Sequence, residues 1–144
     1  MIVLDTTVLV YAKGAEHALR NPCRRLIAAV SDGSIQASTT VEVIQEFAHV
    51  RARRSDPAEA AGIAREYAEL LSPLILVTTE HLHGGLALFE RSNSLGAFDA
   101  VLAATALDTA ADGLVSADKA FSTVAELPYS FPDEAGVAGV LEPE

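Results

Sequence analysis

The chain has 144 residues, 50% of them hydrophobic, with a formal net charge of −10, one cysteine and no tryptophan. A chain of this length buries roughly 70% of its unfolded surface, enough for one core, so we expect a single globular domain. The lone Cys23 excludes an internal disulfide and a cysteine-based zinc site, and the absence of a basic leader or a long apolar run predicts a cytoplasmic protein without signal peptide or membrane span.

The first half of the chain alternates short apolar runs with helix signals. Residues 2–4 form an aliphatic run that predicts a buried strand ending at Asp5. Asn21-Pro22 indicates a helix start, with Asn as the N-cap and Pro at the first position. Residues 35–38 predict a second strand, and Thr39-Thr40 opens the next helix, whose apolar residues recur at helical spacing.

The second half continues the alternation. Asp56-Pro57 is a strong helix start, combining an N-cap with proline at the first position. Gly84-Gly85 weakens the helix that Thr78 or Thr79 is expected to begin. The remaining predicted elements are a buried strand over 74–77, a helix over about 98–111, a strand at 114–115, a helical turn over 117–121, a strand over 129–131 and a loosely held tail from Asp133.

Strands that alternate with helices predict an α/β fold, with a mostly parallel sheet between helices. Ligand sites in such folds lie beyond the carboxyl ends of the strands. Asp5 closes the first strand, and Asp118 closely follows the strand at 114–115. Glu46 and Asp99 lie early in helices that follow connections. The four acids are therefore expected to converge at one edge of the sheet.

Carboxylates that converge predict a site for a hard divalent cation. Two unit charges about 4 Å apart repel by about 4 kcal/mol at an effective dielectric constant near 20, so the cluster is destabilising unless a cation or protons compensate. Mg²⁺ and Mn²⁺ prefer oxygen ligands and can activate water and polarise a phosphoryl oxygen. Phosphodiester hydrolysis is the natural chemistry of such a site.

Each acid also has a local explanation. Asp5 could cap the turn after its strand, and Glu46 could lie on the solvated flank of its helix. Asp99 in a first helical turn is stabilised by the helix dipole, and Asp118 could be the N-cap of a turn. Taken singly, none of the four is specific to a metal site.

Other polar residues favour structural interpretations. Glu42 fits a capping box with Thr39. His81 and His83 are two positions apart, which does not place them on one helix face, and we interpret both as surface residues. His49 lies one turn after Glu46 and could reach the rim of the site.

Four segments in order resemble the motifs of the PIN-domain family. Residues 1–10, Met-Ile-Val-Leu-Asp-Thr-Thr-Val-Leu-Val, resemble the family's opening strand, which ends in Asp before a small hydroxyl residue. Residues 43–47, Val-Ile-Gln-Glu-Phe, resemble its second acidic motif and point to Glu46 rather than Glu42. Residues 95–107 are the closest match and place the third acid at Asp99. Residues 114–121 resemble the last motif, with Ser116 and the fourth acid, Asp118.

The resemblance implies a PIN-like three-layer sandwich over residues 1–132, followed by an acidic tail over 133–144. Its size makes the chain look like the VapC toxins of type II toxin–antitoxin pairs. That implies an Mg²⁺- or Mn²⁺-dependent endoribonuclease acting on structured RNA such as tRNA or rRNA, a homodimer, and inhibition by a VapB-type antitoxin whose C-terminal segment covers the active site. Metal binding and water activation would fall to Asp5, Glu46, Asp99 and Asp118. Thr6 and Ser116 would form hydrogen bonds around them.

Most basic residues lie in the first half of the chain, so an acidic total does not exclude a local basic rim for RNA. Arg51, Arg53 and Arg54 follow the Glu46 motif and are candidates for contacting phosphates. They could equally form a solvated helix end that complements the helix dipole.

Two rival functions remain open at this point. A phosphatase with an aspartyl nucleophile would use Asp5, although such enzymes usually carry a second Asp at the position where this chain has Thr7. A catalytically silent module would only pair with an antitoxin-like partner. The presence of all four acids favours the nuclease over the silent module.

Overall fold

A short parallel sheet organises the chain in the computed structural model, which describes residues 1–143. In those residues the sheet has four strands in the order β2-β1-β3-β4, every pair of them parallel. The strands are β1 (Ile2–Leu4), β2 (Ala37–Ser38), β3 (Gly113–Val115) and β4 (Tyr129–Ser130). The predicted α/β fold with a parallel sheet is confirmed.

Helices connect and flank the strands. Over the same described range they are α1 (Thr6–Lys13), α2 (Arg20–Ser31), α3 (Val41–Ala52), α4 (Pro57–Leu70), α5 (Thr79–Arg91), α6 (Ala97–Asp108) and α7 (Glu134–Leu141), with a 3₁₀ turn at Lys119–Thr123. Helices α3 and α4 pack together, as do α5 and α6.

The order of the strands determines where a site can form. β1 pairs with β2 on one side and with β3 on the other, and Ile2 aligns with Ala37 and with Gly113. The chain leaves β1 toward β2 and later returns to the opposite side of β1. In a parallel sheet, the crevice at such a reversal lies beyond the carboxyl ends of the two central strands, here β1 and β3.

Helix α1 was not predicted from the sequence. Its residues, Thr-Thr-Val-Leu-Val-Tyr-Ala-Lys, include four β-branched side chains, which favour strand over helix. Burial opposes this preference, because the helix places Val8 and Leu9 in the core, where both are fully buried. Arg24 Nε and Arg51 Nη1 donate to the carbonyls of Ala12 and Lys13 at 2.8 and 2.9 Å, which satisfies the end of α1.

Two predicted helix starts are wrong, by two residues for α2 and by one residue for α3. Helix α2 begins at Arg20 after Leu19, so Asn21 is not its N-cap. Thr40, rather than Thr39, caps α3 and accepts the Val43 N–H at 3.2 Å. The Thr39 hydroxyl instead donates to the carbonyl of Leu4 at 2.6 Å, so the proposed capping box of Thr39 and Glu42 does not form.

The predicted buried strand over 74–77 is also wrong. Its one pairing in the described chain is an isolated bridge between Thr40 and Ile75, and Leu76 is 75% exposed. The residues just before this run are held by a side chain and not by strand pairing, since the Ser38 hydroxyl donates to the carbonyls of Leu71 and Pro73 at 2.9 Å each. An apolar run alone did not distinguish this extended connection from a strand.

Helices α5 and α6 pack closely at a glycine. A Cβ on Gly85 would lie 2.6 Å from Val101 Cα, so this position requires glycine. At the start of α5, His81 is buried rather than on the surface as predicted. Its Nδ1 accepts the Thr78 N–H at 3.0 Å and its Nε2 lies 2.7 Å from Asp108 Oδ2, at the end of α6.

The predicted loose tail is instead a helix that packs on the rest of the molecule. Asp133 caps α7 by accepting the Gly136 N–H at 2.8 Å, and Val137 is fully buried in the core. Helix α7 contacts α2 and β4. The acidic segment is thus part of the folded domain through Leu141.

Within residues 1–143, none of the helices has the length and apolar character needed to cross a membrane.

Candidate functional site

Asp5 lies where β1 ends, beside the end of β3. Its backbone N–H donates to the Val115 carbonyl at 3.0 Å, and the residue is only 4% exposed. Asp5 precedes α1 in extended conformation, yet within the described residues its side chain does not cap that helix. The local capping explanation for Asp5 is therefore wrong.

Two hydroxyl groups hold the Asp5 carboxylate. Ser116 Oγ donates to Asp5 Oδ2 at 2.6 Å, and Thr7 Oγ1 donates to the same oxygen at 3.0 Å. Ser116 Oγ also accepts the Asp118 N–H at 2.9 Å, and Thr7 Oγ1 accepts the Ala117 N–H at 2.9 Å. These bonds join the segment after β1 to the segment after β3 and orient Asp5.

Thr7, rather than Thr6, contacts the acid. The Thr6 side chain lines the same crevice but, among residues 1–143, has no hydrogen bond to any of the four predicted acids. The spacing of these residues could have indicated Thr7, because it is two residues beyond Asp5 and its side chain can reach back across the first turn of α1.

Asp5, Glu46 and Asp118 all lie within electrostatic range of the remaining predicted acid, Asp99. Burial first, then the charge of Asp5, and then the neighbouring carboxyl groups of Asp118 and Glu46 together raise the pKa of Asp99 to about 7. Asp99 is half-buried, while Glu46 and Asp118 are exposed. The fold thus brings all four acids into one cluster, from β1, α3, α6 and the loop after β3.

Asp118 caps a turn and also influences Asp99. Its Oδ1 accepts the Ala120 N–H at 2.9 Å, so it caps the 3₁₀ turn as the local explanation predicted. Its carboxyl also contributes to the raised pKa of Asp99. Nearby, the Tyr129 hydroxyl donates to the Ser116 carbonyl at 2.7 Å, and burial followed by the charges of Asp118, Asp5 and Asp133 raises the pKa of Tyr129 to about 12.

Three of the four predicted acids line a groove of about 740 Å³. Asp5, Glu46 and Asp99 contribute its acidic part, together with Glu42 from the first turn of α3. Its apolar lining from α5 and α6 comprises Leu82, Leu86, Ala97, Phe98, Val101 and Leu102. His49 also lines the groove, at its expected place one turn beyond Glu46. The groove therefore combines a charged part with an apolar part.

The chemistry of these donors fits a hard divalent cation. All four acids offer carboxylate oxygens, and in the part of the chain described, Asp5 Oδ1 has no hydrogen-bond partner while Oδ2 has two. Burial first, and then the charges of the neighbouring acids, raise the pKa of Asp99, and a bound cation would offset both effects. Across residues 1–143, no three His, Cys, Asp or Glu side chains already lie close enough to coordinate one ion, so binding through three acids requires side-chain rotation.

The three predicted arginines differ in their contacts. Arg51 donates through Nε to Glu59 at 2.7 Å and through Nη1 to Lys13, so it joins α1, α3 and α4. Arg53 and Arg54 are exposed. The end of α3 that carries these arginines meets the C-terminal end of α1. Because α1 has eight residues and begins directly after Asp5, this meeting point is roughly 12 Å from Asp5.

Comparison with known proteins identifies the class to which this fold and site belong. The PIN domain family matches residues 2–127, and the chain therefore belongs to this family. A curated relative, Ribonuclease VapC7 of Mycobacterium tuberculosis (strain ATCC 25618 / H37Rv), is 53% identical over 145 aligned residues, which cover 98% of each chain. This relative places the chain within the VapC group of PIN-domain proteins.

Two solved structures have the same fold at low sequence identity. The first is Mycobacterium tuberculosis VapC20, described as a sarcin-ricin loop cleaving toxin, with a TM-score of 0.73, 19% identity and coverage of 87% of this chain and 95% of that one. The second is VapBC2 from Rickettsia felis bound to a promoter DNA fragment, with a TM-score of 0.68, 16% identity and coverage of 91% and 98%. At these identities the likeness concerns the fold alone, and it confirms the PIN-like architecture.

Proposed function

We propose that the protein is a VapC-type toxin that hydrolyses RNA phosphodiester bonds as an Mg²⁺- or Mn²⁺-dependent endoribonuclease. The observation that carries the proposal is the convergence of Asp5, Glu46, Asp99 and Asp118 beyond the ends of β1 and β3, with the pKa of Asp99 raised to about 7. The high identity to a protein named a ribonuclease supports it.

In this proposal Asp5, Glu46, Asp99 and Asp118 hold the cation. A divalent ion bound there would supply positive charge to the scissile phosphate and make a water molecule a better nucleophile. Ser116 and Thr7 orient the Asp5 carboxylate through Oδ2, which leaves Oδ1 available to the ion. Thr6 contributes to the shape of the groove without a hydrogen bond to the acids, within residues 1–143.

The substrate and partners are also proposals. We infer that structured RNA such as tRNA or rRNA is cleaved in the cytoplasm. We also infer that Arg53 and Arg54 contact phosphates of this RNA at some distance from the cleaved bond. Arg51 is already engaged with Glu59 and Lys13. A VapB-type antitoxin would inhibit the enzyme, as the solved VapBC2 complex supports, and the toxin would act as a homodimer.

The test is cleavage of RNA by the wild-type protein and by Asp5→Asn, with and without EDTA, followed by re-addition of Mg²⁺ or Mn²⁺. We expect EDTA to abolish cleavage and Asp5→Asn to lower it by more than about 100-fold, since residues that merely orient metal ligands already account for 10- to 100-fold effects. Glu90→Gln, which removes an exposed charge on α5 outside the groove, is the matched control and should cleave as wild type does. Activity that survives both EDTA and Asp5→Asn contradicts the proposal.

Calorimetry with Mn²⁺ separates the nuclease from a silent partner-binding module. The nuclease predicts saturable Mn²⁺ binding that Asp99→Asn weakens, whereas a silent module predicts none. The aspartyl phosphatase loses support, because the residue two positions beyond Asp5 is a threonine whose hydroxyl binds the carboxylate. Trapping of phosphate on Asp5 would restore that alternative.

A further inference from the structure

Phe98 stands out by its exposure and its position. Its side chain is 85% exposed, more than that of any other large hydrophobic residue among residues 1–143, of which Leu76 is next at 75%. Single exposed apolar residues are common on protein surfaces and need no explanation by themselves. Phe98, however, directly precedes Asp99 in the first turn of α6 and lines the groove that contains the acids.

The backbone that carries Phe98 is firmly held. The Ala100 N–H donates to the Gly96 carbonyl at 2.9 Å, which closes the first turn of α6 around Phe98. One turn further on, Val101 packs directly against Gly85 of α5. An aromatic side chain on a rigid element is a defined contact surface, since little backbone freedom is lost when a ligand binds to it.

We propose that Phe98 stacks on an unpaired nucleobase next to the phosphodiester bond that is cleaved at the acids. The inference rests on the proposed function. Phe98 and Asp99 occupy adjacent positions in the first turn of α6 and line the same groove, so an RNA strand whose phosphate is held at Asp99 passes the ring of Phe98. Bases of single-stranded RNA are recognised mainly by stacking on aromatic side chains, which tolerates any base because each has a π-face. The substrate class is therefore RNA with an unstacked base at the cleavage site.

A peptide segment is the alternative occupant of this apolar surface. Leu82 and Leu86 of α5 are 45% and 39% exposed and line the same groove. A peptide would use apolar area, which leucine supplies as well as phenylalanine does. A base requires a planar aromatic ring. Nucleobase stacking is favoured because the aromatic residue, and not one of the leucines, adjoins Asp99 in the chain.

The chain contains no tryptophan, so Phe98→Trp introduces a single fluorescent reporter. The probe is a synthetic hairpin RNA spanning a cleavage site mapped with the wild-type enzyme, and Asp5→Asn in the same protein prevents turnover. We expect the hairpin to quench Trp emission saturably, and the same hairpin with an abasic residue beside the cleavage site to quench much less. Phe89→Trp is the matched control, because Phe89 is 44% exposed on α5 but outside the groove, and its emission should not respond.

Kinetics give an independent readout. We expect Phe98→Ala to lower kcat/KM by about 5- to 150-fold, the range for loss of one base–aromatic stack, and Phe98→Leu to lower it similarly. The abasic substitution should have the same effect on wild type and no further effect on Phe98→Ala. Binding without quenching, or wild-type kcat/KM in Phe98→Leu, overturns the stacking proposal while leaving the nuclease intact. If the wild-type protein cleaves no RNA, the proposed function fails and this inference fails with it.

Discussion

At the scale of single residues, the site depends on how one carboxylate is oriented. Asp5 Oδ2 accepts hydrogen bonds from Ser116 and Thr7, whose hydroxyls in turn accept backbone N–H groups of the loop after β3. Each hydroxyl therefore has both a donor and an acceptor role, and the carboxylate has one preferred direction. Such outer partners determine how well an acidic ligand is presented to a cation.

Replacing Thr7 by valine removes this hydroxyl while keeping the shape of the side chain. We expect Thr7→Val to lower metal-dependent RNA cleavage by about 10- to 100-fold, the range seen when an outer partner of a metal ligand is lost. Thr6→Val is the matched control, since the Thr6 hydroxyl has no bond to the acids among the described residues, and its effect should be clearly smaller. Equal losses in the two variants, measured as kcat/KM on one RNA, would refute the assignment of Thr7.

At the scale of elements, the α5–α6 pair carries the wall of the groove. Gly85 allows the two helices to approach, and His81 joins the start of α5 to Asp108 at the end of α6. Thr78, which caps α5 and accepts the His81 N–H, lines the groove, as does Asp99 of α6. The packing of this pair therefore determines the distance between the apolar lining and the acids.

The adjacent glycines of α5 provide a matched pair of variants. Gly85→Ala should lower the free energy of unfolding by about 1–3 kcal/mol, because its Cβ would overlap the backbone of Val101. Gly84→Ala should raise it by up to about 1 kcal/mol, because alanine favours a helix and the nearest atom, Ala104 Cβ, is at an ordinary 3.5 Å. Denaturant unfolding measures both; a Gly85→Ala protein as stable as Gly84→Ala would exclude the close approach.

At the scale of the whole molecule, the acid cluster opposes folding at neutral pH. The chain has a net charge of −10, and the folded state places Asp99 near three other acids. Because the pKa of Asp99 is raised from 3.8 to about 7 on folding, the folded state retains a proton that the unfolded state releases. The resulting penalty is absent below about pH 4, grows as the pH rises and is complete above about pH 7.

We therefore expect the free energy of unfolding to contain a term that decreases between about pH 4 and pH 7, by about 1–2 kcal/mol, less than the full shift would give because solvent screens a half-buried group. Asp99→Asn should remove this term, and the exposed control Glu90→Gln should leave it unchanged. Mg²⁺ or Mn²⁺ should stabilise wild type more at pH 7 than at pH 5, since the cation binds the deprotonated acids. Thermal or denaturant unfolding across this pH range is the measurement, and a pH profile that Asp99→Asn does not alter would contradict the assignment.

Local patterns in the sequence were sufficient for much of the fold. The aliphatic run of β1, the Asp56-Pro57 start of α4 and the Thr78 cap of α5 are all as predicted, because strand runs and helix caps depend on neighbouring residues. The motifs also indicated which four acids to expect near one another, and the fold brings them together. Their roles as metal ligands remain a proposal.

Contacts between distant residues decided the rest. Thr7 meets Ser116 across 109 positions of the chain, and Val137 is buried although its segment is rich in glycine and acids. Helix α1 forms despite its β-branched residues, since Val8 and Leu9 reach the core in that form. Composition and periodicity describe short stretches of chain, whereas burial and hydrogen-bond partners depend on what the completed fold places opposite each side chain. For that reason the sequence determined the class of fold and the acids, while the tertiary structure decided which hydroxyl orients Asp5 and left the ring of Phe98 exposed beside Asp99.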